Sequence, residues 1–164
     1  MRRSRDLKVT PIRVRAALES DIDRIIQIER SWQHLSHWSV SAYNRLLKPG
    51  SFAESFVAEI ESCEKEVEIA GFVIFNIADR ISEIYNIAVD RAHARSGVGA
   101  DLMKTVLENA RRDGAHKVLL EVRKSNHIAI TFYLRFGFSL AGERDNYYSN
   151  PVEDAYIMEK ELRI

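Results

Sequence analysis

Hydrophobic positions switch between two spacings along this chain. In "PIRVRAAL", Ile12, Val14 and Ala16 alternate with polar residues, which predicts a strand. In "ESDIDRIIQIERSW", Ile22, Ile25 and Ile26 recur at helical spacing with Glu29 on the polar flank. Ser20 and Asp23 have capping-box spacing there, with Asp in place of the usual Glu or Gln. Ser39, just after Trp38, is a second N-cap, and "VSAYNRLL" predicts a short helix broken by Pro49-Gly50. "SFVAEI", "ESCEKE" and "VEIAGFVIF" predict strand, exposed charged turn and strand. "RISEIYNIAVD" adds a strand, and "VGADLMKTVLENARRDG" a helix with Gly114 at C′. "KVLLEVR" is a short strand, "NHIAITFYLRF" a helix ended by Gly137, and "FSLAGE" and "DAYIMEKEL" the last two strands. No repeat or low-complexity segment interrupts the series. The order β-α-α-β-β-β-α-β-α-β-β predicts an α/β (α+β) fold, a mixed sheet flanked by helices.

Composition narrows the partners. The chain has 164 residues, enough for one domain with a sizeable core, here 12–164 behind a basic, flexible leader of residues 1–11. Basic and acidic residues balance at 24 each, so net charge favours neither nucleic acid nor an anionic membrane. No apolar run reaches the roughly 20 residues of a membrane span. No apolar h-region follows the basic start, so it does not read as a secretory signal. Cys63 is the single cysteine, which excludes an intrachain disulfide and fits a cytoplasmic setting. It sits among Glu and Lys in a turn, a poor place for a nucleophile, so transfer without an acyl-enzyme is expected. The histidines at 34, 37, 93, 116 and 127 form no zinc-protease motif, and no metal is expected.

"ARSGVGADL" places Gly97 and Gly99 where a strand hands over to a helix. The first turn of a helix has unpaired amides and the positive end of the macrodipole. Glycine lets a pyrophosphate approach them. A P-loop needs Gly-Lys-Ser/Thr, but Ala-Asp follows Gly99. The dinucleotide fingerprint needs a third glycine where Leu102 stands. The remaining pattern is the Gln/Arg-x-x-Gly-x-Gly/Ala loop of acetyl-CoA-binding acyltransferases. Ala94 departs from its first position, and Arg95 is the neighbouring charge. The bland alternative is a glycine that merely lets helix and strand pack.

"NIAVD" with its "GVG", then "LEVRKSN" and "YLRFGF", then "NYY" and "EDAYIM", together resemble the GNAT acetyltransferase superfamily. Within it the likeness is to RimI-like ribosomal-protein alanine N-acetyltransferases and related protein N-terminal acetyltransferases. It covers roughly residues 12 to 162, including "RAALESDIDRIIQIE" and "HWS". The resemblance implies a GNAT fold in which two central strands, Ile84 to Val89 and Lys117 to Val122, splay apart around acetyl-CoA. It implies that backbone groups of Ile87, Ala88 and Val89 hold the acetyl-pantetheine arm. The amides of Arg95, Ser96, Gly97, Val98, Gly99 and Ala100 would hold the pyrophosphate, and Asn126 would be a further cofactor contact.

Glu121 lies inside the apolar run "KVLLEVR", on the strand face of Leu119 and Arg123. An acetyl acceptor must be a neutral amine, and a carboxylate can take its proton directly or through water. The resemblance makes Glu121 the general base; the alternative is a carboxylate paired with a basic neighbour. It makes Tyr133 the general acid that protonates or hydrogen-bonds the departing CoA thiolate; the alternative is a core aromatic. Tyr147 and Tyr148, expected in a loop between the last two strands, would border the peptide entrance or else be hairpin aromatics covering the sheet, and Trp38 would line the other wall or else serve the core or the helix entry. The expected reaction is direct acetyl transfer from acetyl-CoA to the N-terminal α-amine of a protein or peptide, a ribosomal protein among the candidates. Rival readings are a GNAT enzyme for small amines and a non-catalytic acyl-CoA-binding module.

Overall fold

The computed structural model of the chain describes residues 11–33, 35, 37–61 and 66–163. The first ten residues of the expected leader, His34 and residues 62–65 of the charged turn, Cys63 among them, lie outside them. Strand β1 (Ile12–Ala16) leads through a 3-10 turn (Glu19–Asp21) to helices α1 (Ile22–Arg30) and α2 (Val40–Leu46). Strands β2 (Ala53–Glu61), β3 (Val67–Ala78) and β4 (Ile81–Val89) follow. A 3-10 turn (Arg91–His93) precedes α3 (Val98–Arg112); then come β5 (Lys117–Arg123), α4 (His127–Arg135), β6 (Ser139–Ser149) and β7 (Val152–Glu161). This is the α/β order that the periodicities predict.

The strands form one seven-stranded sheet in the order β1-β2-β3-β4-β5-β7-β6. Neighbours are antiparallel except β4 and β5, which run parallel. That parallel pairing extends only from Ile81↔Lys117 to Ile84↔Leu120. Beyond it each strand stays tied on its outer side: β4 to β3 as far as Val89↔Gly71, and β5 to β7 as far as Arg123↔Ala155. The two central strands therefore part into a wedge, with the β5-facing edge of residues 85–89 left without a strand partner. β4 also carries a bulge, since Ile74 pairs with Asn86 and Phe75 with Ile84, leaving Tyr85 extra. The bulge puts Tyr85 and Asn86 on the same face, where strict alternation would separate them.

Two cores lie on opposite faces of the sheet. Val98, Leu102, Met103 and Val106 of α3 pack on Val73, Phe75, Ile84 and Leu120. Ile25 and Ile28 of α1 and Tyr43 and Leu46 of α2 pack on Val57, Phe72, Ile74 and Ala88. Each such aliphatic or aromatic side chain contributes about 1.5–3 kcal/mol on burial. Gly71 sets how closely α3 docks: a Cβ there would lie 2.8 Å from both the Ala88 carbonyl oxygen and Val98 Cγ1.

The helix ends mostly follow the sequence signals. Ser39 Oγ accepts from the Ala42 amide at 3.2 Å, capping α2. Gly114, at φ +75°, closes α3: its amide donates to the Arg111 carbonyl at 3.1 Å, and Ala115 N donates to Ala110 O at 2.8 Å. The start of α1 differs from the Ser20–Asp23 expectation. Ser20 sits inside the 3-10 turn, and the Asp21 carboxylate accepts from the Leu18 amide at 2.8 Å instead. Arg15 decides the matter by holding both Asp21 oxygens, at 2.6 and 3.1 Å.

Candidate active site

One side of the wedge is built by β4, the loop after it, and the start of α3. Ile87 and Val89 turn their side chains towards α3, and Ala88 towards α1. The Val89 carbonyl accepts from Trp32 Nε1 at 2.7 Å, so that oxygen is already used. Asp90 caps the next turn through the Ala92 amide and pairs with Arg24, which fixes the loop's entry. Arg95, at φ +64°, and Gly97, at φ +98°, turn the chain into α3. No side chain caps this helix, so the first-turn amides of Val98, Gly99 and Ala100 have no partner within it. Ser96 is spent locally: its amide and its Oγ both donate to the His93 carbonyl, at 3.3 and 2.6 Å.

The two loop glycines have different reasons. Gly97 adopts the left-handed conformation that a side chain resists. Gly99 is a packing glycine: a Cβ there would meet Val89 Cγ2 at 3.4 Å and the Phe132 ring at 3.6 Å. Asn126 also has a local task, since its Oδ1 accepts from the Ala129 amide at 3.2 Å and caps α4.

The opposite face, on the side of α1 and α2, carries the carboxylates. Glu121 on β5 is 16% exposed; its Oε1 accepts from Arg144 Nε at 3.0 Å, and its Oε2 from the Tyr147 hydroxyl at 3.3 Å. The pairing with a basic neighbour is therefore real, yet the carboxylate is mostly covered. Glu83 of β4 faces the same place. Burial pushes its carboxyl above the usual range, the Glu121 charge pushes it further, and Arg144 opposes both. Tyr85 adjoins Glu83: burial, then that carboxylate, raises its phenol above the ordinary value.

Aromatic rings close both ends of this carboxylate pair. Trp38 lies 5.7 Å from the Tyr43 ring and 6.3 Å from the Tyr85 ring, centroid to centroid. Tyr147 and Tyr148 meet edge to face at 5.0 Å. The sequence placed this pair in a loop. Both residues instead belong to β6, which runs to Ser149 and leaves only Asn150 and Pro151 between the strands. A register break between Arg144 and Tyr148, with Asn146 at φ +51°, lets the strand continue through polar, turn-like sequence. Arg123 lies 4.1 Å from the Tyr148 ring centroid and donates to the Asn150 and Pro151 carbonyls, pinning the hairpin.

Tyr133 comes from α4 on the other side of the wedge. It is buried beside Phe132 and Phe138, at 5.6 and 5.9 Å. Its hydroxyl has no hydrogen-bond partner among the described residues. Burial pushes its phenol well above the ordinary value, with a smaller push from Tyr148. It therefore stays protonated at neutral pH and presents a donor.

Residues 19–138 match the Acetyltransferase (GNAT) family. The chain belongs to the GNAT acetyltransferase family. It is 32% identical over 149 residues to the putative [ribosomal protein bS18]-alanine N-acetyltransferase of Bacillus subtilis, covering 91% of this chain and 95% of that one. It is 32% identical over 159 residues to an N-alpha-acetyltransferase of Sulfolobus acidocaldarius, covering 88% and 89%. The crystal structure of the ribosomal-protein-S18-alanine N-acetyltransferase from Escherichia coli superimposes with a TM-score of 0.79 at 27% identity, covering 94% of this chain and 96% of that one. Arabidopsis thaliana NAA60 in complex with acetyl-CoA shares the fold, with a TM-score of 0.81 at 19% identity over 93% and 99% of the two chains. This GNAT protein is thus an N-acetyltransferase. No helix among its described residues is long and apolar enough to cross a membrane.

Sequence reasoning did not single out Glu83, Tyr85 or Arg144. Glu83 had a signal, a charge inside the alternating run "RISEIYNIAV". Tyr85 had none, because its face depends on the bulge. Arg144 meets Glu121 only through the β6–β7–β5 order of the sheet.

Proposed function

We propose that this protein carries acetyl from acetyl-CoA directly to the N-terminal α-amine of a protein or peptide, a ribosomal protein among the candidates, in the cytoplasm. The observation that carries the reading is the pair of groups on opposite sides of one wedge: the Glu121 carboxylate on the acceptor face and the buried, protonated Tyr133 on the other. The thioester supplies an activated acetyl carbon and a thiolate leaving group. The free edge of Ile87, Ala88 and Val89 takes the pantetheine arm, with the Val89 carbonyl left to Trp32. The uncapped amides of Val98, Gly99 and Ala100, with Arg95 and Gly97 around them and Ser96 shaping the turn, take the pyrophosphate. The Asn126 side-chain nitrogen remains for a ligand while its oxygen caps α4.

On the acceptor face, Glu121 takes the proton released as the amine nitrogen bonds to the acetyl carbon and the carbon–sulfur bond breaks. Tyr133 donates a hydrogen bond to the departing sulfur. A model thiol has a pKa of about 8.5, below an ordinary phenol, so this donation stabilises the thiolate without requiring full proton transfer. Trp38, Tyr147 and Tyr148 flank the route of the acceptor.

Acid–base chemistry favours an α-amine over lysine. Reference pKa values are about 8 and about 10.4, so at pH 7.5 roughly a quarter of α-amines are neutral, against about a tenth of a percent of lysines. A carboxylate base handles the first proton more readily than the second. The test is a peptide with a free N-terminal Ala and one internal Lys, acetylated and then mapped by fragmentation. Acetyl on the terminal nitrogen is expected; acetyl mainly on lysine overturns the reading.

A further inference from the structure

Glu29 is a carboxylate in the middle of an apolar core. It is 0% exposed and stands on α1 between Ile25, Ile28 and the Tyr43 ring of α2. It touches none of the groups assigned above to proton transfer. Its Oε1 gathers donors from three separate parts of the chain. The Trp38 amide, in the segment before α2, reaches it at 3.2 Å. The Tyr43 hydroxyl, on α2, donates to it, as does Asn86 Nδ2 of the β4 bulge at 3.1 Å. Asn86 lies 3.4 Å from the Tyr43 hydroxyl as well, so the four groups form one cluster.

Fold stability alone gives this arrangement no reason. Apolar residues of similar volume in place of Glu29 and its side-chain partners would fill the space without the cost of burying a carboxylate. What the carboxylate supplies is a shared acceptor at a fixed point. It ties the segment that begins at Trp38 to the bulge that aims Tyr85. Those two rings are 6.3 Å apart and form the end of the acceptor face next to Glu83. Without a common acceptor, the Trp38 amide and Asn86 Nδ2 would each seek water, and the two halves of the wall would lose their register.

We infer that Glu29 is a positioning residue for acceptor binding, holding the Trp38 segment and the Tyr85–Asn86 bulge of β4 in register so that the aromatic wall beside the carboxylates is preformed. The inference rests on the acceptor-face reading of the preceding subsection. Acetyl-CoA lies outside its reach, because residues 87–89 are held by their own ladder to β3.

Two substitutions separate positioning from bulk. Glu29→Met keeps the length and removes the acceptor. Glu29→Gln keeps an oxygen where all three donors converge and places its amide nitrogen where Oε2, which has no partner, now sits. Steady-state kinetics on an N-terminal peptide that the wild type acetylates should show the acceptor KM at least tenfold higher in Glu29→Met. The calorimetric Kd for acetyl-CoA should stay within twofold. Glu29→Gln should restore the acceptor KM to within threefold of wild type. An unchanged acceptor KM in Glu29→Met, or a parallel loss of acetyl-CoA affinity, overturns the inference. If Glu29→Met does not fold, Tyr43→Phe removes one tie without changing the ring. It should raise the acceptor KM about threefold, and no rise counts against the inference. Amide hydrogen exchange at Trp38 provides a readout that needs no substrate. Slow exchange in wild type and Glu29→Gln, with fast exchange in Glu29→Met, is expected; equal rates in all three overturn it. A wild type that acetylates no peptide refutes the acceptor reading itself, while the exchange result still decides the role of Glu29.

Discussion

Arg144 Nε lies 3.0 Å from Glu121 Oε1, so the carboxylate proposed to accept the amine's proton already has a cation beside it. The same Arg144 offsets the repulsion that Glu121 exerts on Glu83. Replacing it with Met leaves two carboxylates facing each other uncompensated. The Glu83 carboxyl, already raised by burial, then loses the cation that opposes the rise, so an acidic limb of the pH profile of kcat/KM set by Glu83 should move to higher pH. Arg144 is 54% exposed, so screening limits the change. The expected displacement is upward and smaller than that of a close, fully buried pair. A limb that stays in place shows that Glu83 does not set it.

Proton transfer assigns different losses to different residues. Glu121→Gln keeps the shape and removes the base; Tyr133→Phe keeps the ring and removes the donor. Each should lower turnover roughly 10²- to 10⁴-fold, with acetyl-CoA binding retained by calorimetry. Glu83→Gln is the internal control for which carboxylate serves. If Glu83→Gln is crippled and Glu121→Gln turns over near the wild-type rate, the two carboxylates exchange roles and Glu121 is the partner that tunes.

Much of this arrangement was legible in the residues. Alternation and helical spacing are local, so every strand and helix could be ordered from them, and the breakers Gly114 and Pro49-Gly50 marked real ends. The wedge, by contrast, came from a family likeness: no local pattern says that pairing between β4 and β5 stops at Ile84 and Leu120. Tyr147 and Tyr148 were misplaced in a loop because "ERDNYYSNP" has turn composition, while tertiary pairing with β7 overrides it. Glu121 stood out because a charge in a short apolar run is locally anomalous. Its partner Arg144 did not, since 23 positions of sequence separate them and only the sheet brings them together.

Gly71 controls the docking of the helix whose first turn is assigned to the pyrophosphate. A Cβ at 2.8 Å from the backbone oxygen of Ala88 cannot be absorbed by a side-chain swing, so α3 or β4 must shift. Gly71→Ala should destabilise the fold by about 1–3 kcal/mol, the usual cost of overpacking. That reads as a lower Tm, at about 2–4 °C per kcal/mol for a chain of this size. Acetyl-CoA affinity should fall with it, because both walls of the donor site move. A variant with wild-type Tm and affinity would show that the strand and helix separate freely there.

Glu29 makes a prediction about stability against pH that is independent of catalysis. Burial pushes its carboxyl above the ordinary value; Tyr43, the Trp38 amide, His37 and Asn86 pull the other way without cancelling it. A raised acid binds its proton more tightly in the folded state than in the unfolded chain. Its contribution is therefore fully present below the unfolded value, about 4.3, and is lost as pH rises through the folded one. Glutamine has no proton to lose. The Tm of Glu29→Gln minus that of wild type should grow more positive from pH 4 upward and level off once Glu29 has ionised in the folded protein. Comparing the two proteins at each pH cancels the other carboxylates, including Asp21 and Asp90, which are held below the ordinary value against burial, Asp21 by Arg15 and the Leu18 amide and Asp90 by the Ala92 amide and Arg24, and act in the opposite direction. Differential scanning calorimetry at half-unit intervals reads this difference directly. A flat difference would mean that the hydrogen bonds to Oε1 fully offset burial and that Glu29 carries its charge throughout.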